Sequence, residues 1–205
     1  MKKKHPTSHR AKSLWLLAAT VLSASLGAQA QSSTSGTTMM GLTPGSGYAE
    51  LGLGLSNYAL DKGVGGFDSE DNATSYIVRG GGFFSPNLGV EVGYTDYGWV
   101  SNAGGTTRAK GINFSLVGKY PASPAVNLIG KVGSTYSYTK VSSDAASGIV
   151  AGTNKDFGLA LGVGVQFMIN PQWSAVLQYE AQNMTFAGDR TDTVGNASLT
   201  ARFHY

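Results

Sequence analysis

The chain has no cysteine, which excludes disulfide frameworks, thiolate metal sites, cysteine nucleophiles and an N-terminal lipid anchor of the bacterial kind. Charge is scarce, at 13% of 205 residues, against about 25% in an ordinary soluble domain. Such a chain makes a poor water-facing surface. Histidine is nearly absent: of three, His5 and His9 lie in the first ten residues and His204 is next to last, leaving few ways to build a catalytic triad or a zinc site. Past residue 30 no run of about 18 apolar residues exists, so no segment there spans a bilayer as a helix. Glycine, in contrast, reaches 29, where about 7% of a chain is usual.

The net charge of +3 belongs to the start of the chain. Lys2, Lys3, Lys4, Arg10 and Lys12 precede residue 30 with no acid among them; taking these five from 15 leaves 10 basic against 12 acidic residues, or −2, in the rest. Nucleic acid, which binds through clustered Lys and Arg, is therefore no partner. Residues 1–30 read as a secretory signal: a basic start, the apolar run Ser13–Gly27, and Ala28-Gln29-Ala30 as a cleavage site. Residues 31–46, small and uncharged, read as a flexible lead-in, and 47–205 as one domain.

From Tyr48 the pattern is alternation with period two, the strand signature. The clearest run is Phe157-x-Leu159-x-Leu161-x-Val163-x-Val165-x-Phe167-x-Ile169, with Gly158, Ala160, Gly162, Gly164, Gln166 and Met168 between. Thirteen residues rise about 40 Å, or about 30 Å when tilted by ~40°, which matches a bilayer core. Seven more segments repeat the pattern. Their apolar face is often aromatic near the ends, as at Tyr94, Tyr120, Tyr136, Trp173 and Tyr179; the other face is small or polar, with Ile77, Phe83, Val117, Ile129 and Val176 as exceptions. Periodicity alone does not say which face points out. The polar face is too weakly charged to meet water, so the apolar face is assigned to lipid.

Short turns with proline, Ser85-Pro86-Asn87, Pro121–Pro124 and Asn170-Pro171-Gln172, alternate with long polar connections at roughly 59–73, 99–110, 139–155 and 187–195. Three short and four long connections make eight strands. The fold expected is all-β: an eight-stranded, antiparallel, up-and-down transmembrane β-barrel.

Val78–Gly98 (VRGGGFFSPNLGVEVGYTDYG), Val117–Pro121 (VGKYP) and the alternating end Arg202-Phe203-His204-Tyr205 resemble the OmpA-like eight-stranded outer-membrane barrels over about 47–205. The resemblance implies a monomer in the outer membrane of a Gram-negative bacterium, in contact with outer-membrane lipids and lipopolysaccharide. Phe203 and Tyr205 are implied as the insertion signal for the barrel assembly machinery, with Tyr in the last place where the family usually has Phe. A periplasmic peptidoglycan-binding domain is not expected. No cofactor is implied, and the external ligand of the loops is not specified.

The inward parity carries Glu50, Glu91 and Glu180 against Arg79, Lys119, Lys131 and Arg202. The Pro86 turn places Arg79 opposite Glu91 or one diagonal step away. Two readings follow: an ion-paired plug that fixes register, or a gated path for small ions, through a barrel only wide enough for side chains to fill. Gly80-Gly81-Gly82 precedes no helix and so makes no nucleotide fingerprint. Asp68-x-Glu70-x-Asn72 starts like a calcium loop, but Ala73 stands where Gly is needed and Arg79 where the bidentate Glu belongs, so no metal site is expected. His204 lies at the end opposite to where lipid A-modifying enzymes place theirs, so no catalytic residue is assigned. The role expected is structural and surface-interacting, with a narrow pore as the alternative and a lipid A-modifying enzyme further behind.

Cleavage after Ala30 is directly measurable: N-terminal sequencing of the membrane-inserted protein is expected to start at Gln31.

Overall fold

The computed structural model describes residues 47–59, 70–102, 104–144, 148–188 and 190–205; the proposed signal and lead-in lie outside them. Eight strands, β1 (Gly47–Tyr58), β2 (Asn72–Phe83), β3 (Leu88–Asn102), β4 (Gly105–Ser123), β5 (Val126–Ser142), β6 (Gly152–Met168), β7 (Trp173–Phe186) and β8 (Arg190–His204), follow one another around a closed barrel. All pairings are antiparallel, and β1 pairs with β8 to close the ring, so each strand has a ladder partner on both sides. Residues 47 and 205 lie at the same end as the three proline turns, and Tyr205 N–H donates to Gly47 O at 3.0 Å.

The apolar parity faces outward, as composition requires. Leu51, Leu53, Leu55, Val92, Phe114, Leu161, Val163 and Leu199 are all exposed, while Glu50, Arg79, Glu91 and Arg202 on the opposite parity are buried. At the turn end, Phe84, Tyr120, Phe167, Trp173 and Tyr205 stand on the outer surface, where amphipathic rings suit a membrane boundary.

The connections differ from expectation at the other end. The strands continue through two of the four segments read as long loops: β3 and β4 are joined by residues 103–104, and β7 and β8 by 187–189. The connection expected at 139–155 shrinks to 143–151, leaving Lys140 in β5 and Lys155 in β6. The reason is an inversion of the strand pattern. Near the loop end the outward side chains become polar (Thr74, Thr106, Arg108, Lys140, Thr153, Thr193) while Tyr58, Tyr97, Val100, Ala109, Val141, Met184, Phe186 and Val194 turn inward as one apolar cluster. There the barrel is built like a soluble protein, dry inside and polar outside, so its polar residues read as loop although they are strand.

A bulge in β3 helps this inversion. The β3–β4 register shifts between Asp96 and Trp99, and one extra residue exchanges the two faces of a strand. Gly98 adopts φ +80°, a conformation open to glycine, and its backbone is tied down by Tyr58 Oη, which donates to the carbonyls of Tyr97 (3.2 Å) and Gly98 (3.1 Å). Beyond the bulge Val100 points in and Trp99 points out. The β6–β7 ladder runs only from Ala160–Gln182 to Met168–Ser174; past it, side chains take over, with Thr139 Oγ1 donating to Thr185 O (2.7 Å) and Thr185 Oγ1 to Asp156 (2.7 Å).

Leu161, opposite Val132 and Ala181, sits mid-span on the lipid-facing side. Leu161→Arg is expected to cost about 2–4 kcal/mol of folding stability in bilayers, and Thr106→Arg, on the polar outer rim, no more than about 1 kcal/mol. Urea unfolding in lipid vesicles checks both.

Candidate functional site

The middle of the lumen holds six charged side chains in contact. Arg79, from β2, donates through Nη1 to Glu50 Oε1 of β1 at 3.2 Å and through Nη2 to Glu180 of β7. Its Nε lies 3.7 Å from Glu91 Oε1 of β3. Lys131, from β5, donates to Glu91 Oε1 at 2.7 Å and stands 3.6 Å from Glu180 Oε1. Arg202, from β8, grips Glu50 Oε2 through Nε (2.8 Å) and Nη2 (2.6 Å) and lies 3.6 Å from Glu91 Oε2. Three carboxylates meet three cations, so the cluster is neutral, and six of the eight strands contribute to it.

Local sequence makes the room. Arg79 pairs with Gly93, and a Cβ there would come within 2.5 Å of the Arg79 Cγ. Gly162 lies between Lys131 and Glu180 in the pairing, so two bulky chains from non-adjacent strands meet across it. Glu91 is opposite Gly81; Arg79 is therefore one diagonal step from Glu91, and its closer partners are Glu50 and Glu180.

The charge cluster lies between drier layers. Towards the loop end come Asn113, Thr95 and Thr135, linked by Thr135 Oγ1 to Asn113 Oδ1 (2.9 Å) and Asn113 Nδ2 to Thr95 Oγ1 (3.2 Å), then the inward apolar cluster around Tyr58 and Tyr97. Towards the turn end, Tyr48, Phe83, Val117, Ile129 and Val176 form a second apolar layer; apart from Tyr48, these were the exceptions on the small, polar face.

Two assignments from sequence change. Lys119 is not in the cluster: it stands at the turn-end mouth with Nζ 4.5 Å from the centre of the Phe83 ring and pairs with none of the three carboxylates, because β4 places Ser115 opposite Glu91 and Val117 opposite Lys131, and Lys119 two residues further towards the turn end, opposite Ile129. Tyr48 belongs to the cluster and was missed. Its Oη donates to Glu91 Oε2 at 2.7 Å, and the Arg202 guanidinium lies 3.9 Å from its ring centre. The signal was present in its parity, two residues before Glu50, and in the space over Gly81, whose Cβ would fall within 2.5 Å of the Tyr48 Oη.

His204 points into the mouth, with Nε2 at 2.9 Å from Ser174 Oγ and 3.1 Å from Gln166 Nε2. A serine beside a histidine is the beginning of a triad, but both contacts fall on Nε2, and among the described residues no carboxylate bonds Nδ1 to orient the ring. Phe203 packs on Trp173 with ring centres 5.0 Å apart, and Tyr205 is exposed. Of the acidic residues in the first long connection, Asp61 and Asp68 lie outside the described residues; Glu70 is exposed, and no group of three metal-ligating side chains occurs among the described residues.

The sequence matches the family described as outer membrane protein beta-barrel domain over residues 16–205. No curated protein matches it. Solved structures do: the N-terminal β-barrel domain of Pseudomonas aeruginosa OprF (11% identity, TM-score 0.55, covering 78% of this chain and 98% of that one); Ail, the attachment invasion locus protein of Yersinia pestis (21%, 0.54, 78% and 99%); and Neisserial surface protein A (14%, 0.58, 78% and 97%). At these identities the likeness is one of fold.

Breaking the cluster and sparing it should differ. Glu91→Ala removes a partner of Lys131, Tyr48 and Arg79 and is expected to cost about 3–5 kcal/mol, whereas Lys119→Ala gives up a cation–π contact of about 1 kcal/mol or less. Unfolding free energies in vesicles are the measurement.

Proposed function

We propose that this chain, which belongs to the family of outer membrane protein β-barrel domains, is a sealed barrel of the Gram-negative outer membrane, with a structural and surface-contact role and neither catalysis nor conduction. The observation that carries this reading is the neutral cluster of Glu50, Glu91 and Glu180 with Arg79, Lys131 and Arg202, closed above and below by apolar layers. An ion crossing the lumen must part those charges, and each buried charge left without its partner carries a large penalty. It must also pass Tyr58 and Tyr97 on one side and Tyr48 and Phe83 on the other.

The same reading assigns the ends. The turn end, with both ends of the barrel domain, faces the periplasm, and the loop end faces outward; Phe203 and Tyr205 act as the recognition residues for the barrel assembly machinery, after export and removal of residues 1–30. The barrel works as a monomer, in contact with outer-membrane lipids and lipopolysaccharide. Ser174 and His204 pack the periplasmic mouth. Catalysis is disfavoured because Ser174 is 1% exposed and, among the described residues, no carboxylate orients the imidazole.

In planar lipid bilayers the wild-type barrel is expected to pass no steady current, and Glu91→Ala to raise it. Large, steady wild-type currents would replace this reading with a narrow pore for ions or small solutes.

A further inference from the structure

The outer wall of β3–β6 carries a second, unrelated concentration of charge. In the pairing, Tyr94, Ile112, Tyr136 and Phe157 form one row on the outward face. The next row towards the loop end is Asp96, Lys110, Tyr138 and Lys155, and the one after it Trp99, Arg108, Lys140 and Thr153. Four cations from three adjacent strands thus face outward against one carboxylate. Asp96 serves two of them, at 2.7 Å from Arg108 and 3.6 Å from Lys110. Lys155 lies 5.6 Å from the Tyr138 ring centre. The neighbouring acids lie outside these rows: exposed Asp156 accepts from Thr185 on the β7 side, Asp144 belongs to the β5–β6 connection, and exposed Glu70 precedes β2, its N–H donating to Ser101 O. The outer wall formed by β7, β8, β1 and β2 carries Arg190 beside Asp192, 3.0 Å apart, so among the described residues the excess is confined to one side.

Depth gives the patch its meaning. Each cation stands two or four residues beyond an outward apolar side chain of its own strand, about 7 or 14 Å along it, where the wall changes from lipid-facing to polar. That is the level of lipid headgroups. A cationic excess of three has no use against hydrocarbon, and in open water it would not sit directly on an aromatic row. Guanidinium and ammonium groups match phosphate, the guanidinium in a bidentate manner, and Trp99 and Tyr138 supply the amphipathic rings that suit the same depth.

We propose that Arg108, Lys110, Lys140 and Lys155 form a binding site for the phosphate groups of the phosphorylated glycolipid in the outer leaflet. The site stands on the orientation given under the proposed function and adds to it a fixed place of lipid contact: the patch supplies cations that the lipid's phosphates otherwise draw from divalent ions, and it gives the barrel one lipid-anchored side.

The test uses the barrel folded in detergent micelles, with EDTA present, incubated with purified lipopolysaccharide or with the same lipid after enzymatic removal of its lipid A phosphates; lipid retained per barrel is counted by mass spectrometry. The wild type is expected to hold the phosphorylated lipid at least tenfold more tightly than the dephosphorylated one. The quadruple variant Arg108→Gln, Lys110→Gln, Lys140→Gln, Lys155→Gln should lose that preference while keeping the heat-modifiable migration of a folded barrel. Equal retention of the two lipids by the wild type overturns the site, and so does a preference that survives in the variant. Should the variant fail to fold, the wild-type comparison of the two lipids decides alone. Wild-type conductance would remove the sealed-barrel reading and leave this result untouched.

Discussion

Six charges forced together inside a ring too narrow for water to separate them are the constraint on which the rest of this barrel depends. Each of Glu50, Arg79, Glu91, Lys131, Glu180 and Arg202 would be intolerable there alone, and each is met by a partner from another strand. The pairing can be satisfied only if six strands hold one register, since a slip of a single residue sends a strand's charges into lipid. The glycines opposite or beside the cluster are part of the same solution: Gly93 accommodates the Arg79 stem, and Gly162 lets Lys131 and Glu180 approach from strands that are not ladder neighbours.

Around that centre the barrel is two constructions on one set of strands. In the bilayer-spanning part the outside is apolar and the inside polar, and at the loop end the order reverses, with Tyr97, Val100 and Phe186 inside and Arg108 and Lys140 outside. The solvent on the outside sets this, because hydrocarbon selects Leu and Val where water selects Thr and Lys. The bulge at Gly98 helps β3 make the exchange. The basic patch lies at this change of solvent, where an outward cation has something other than hydrocarbon to meet.

How much of this could be read from the sequence follows from the same inversion. The alternation of 157–169, the proline turns and the parity of Glu50, Arg79 and Glu91 were legible because one solvent acts along the whole span. Val100, Ala109 and Val194 were hidden, since a strand that reverses its pattern looks like a loop with scattered apolar residues. Lys119 shared the parity of the cluster, but parity gives the face and not the depth, and Tyr48, at the start of the alternation, carries no charge to mark it as a partner of the inward carboxylates. The shared fold with barrels at 11–21% identity has the same origin, since solvent and closure constrain pattern far more than residue type.

The central claim is that the buried charges act as one closed, mutually dependent unit. A double-mutant cycle between Arg202 and Glu50, read as unfolding free energy in lipid vesicles for the wild type, Arg202→Met, Glu50→Gln and the pair, tests it most directly. The account predicts that the double variant is less destabilised than the two singles together, with a coupling energy in the range of about 0.5–3 kcal/mol expected for residues in contact. Additive single effects would contradict it, because two side chains that lock each other across the β1–β8 closure cannot be lost independently.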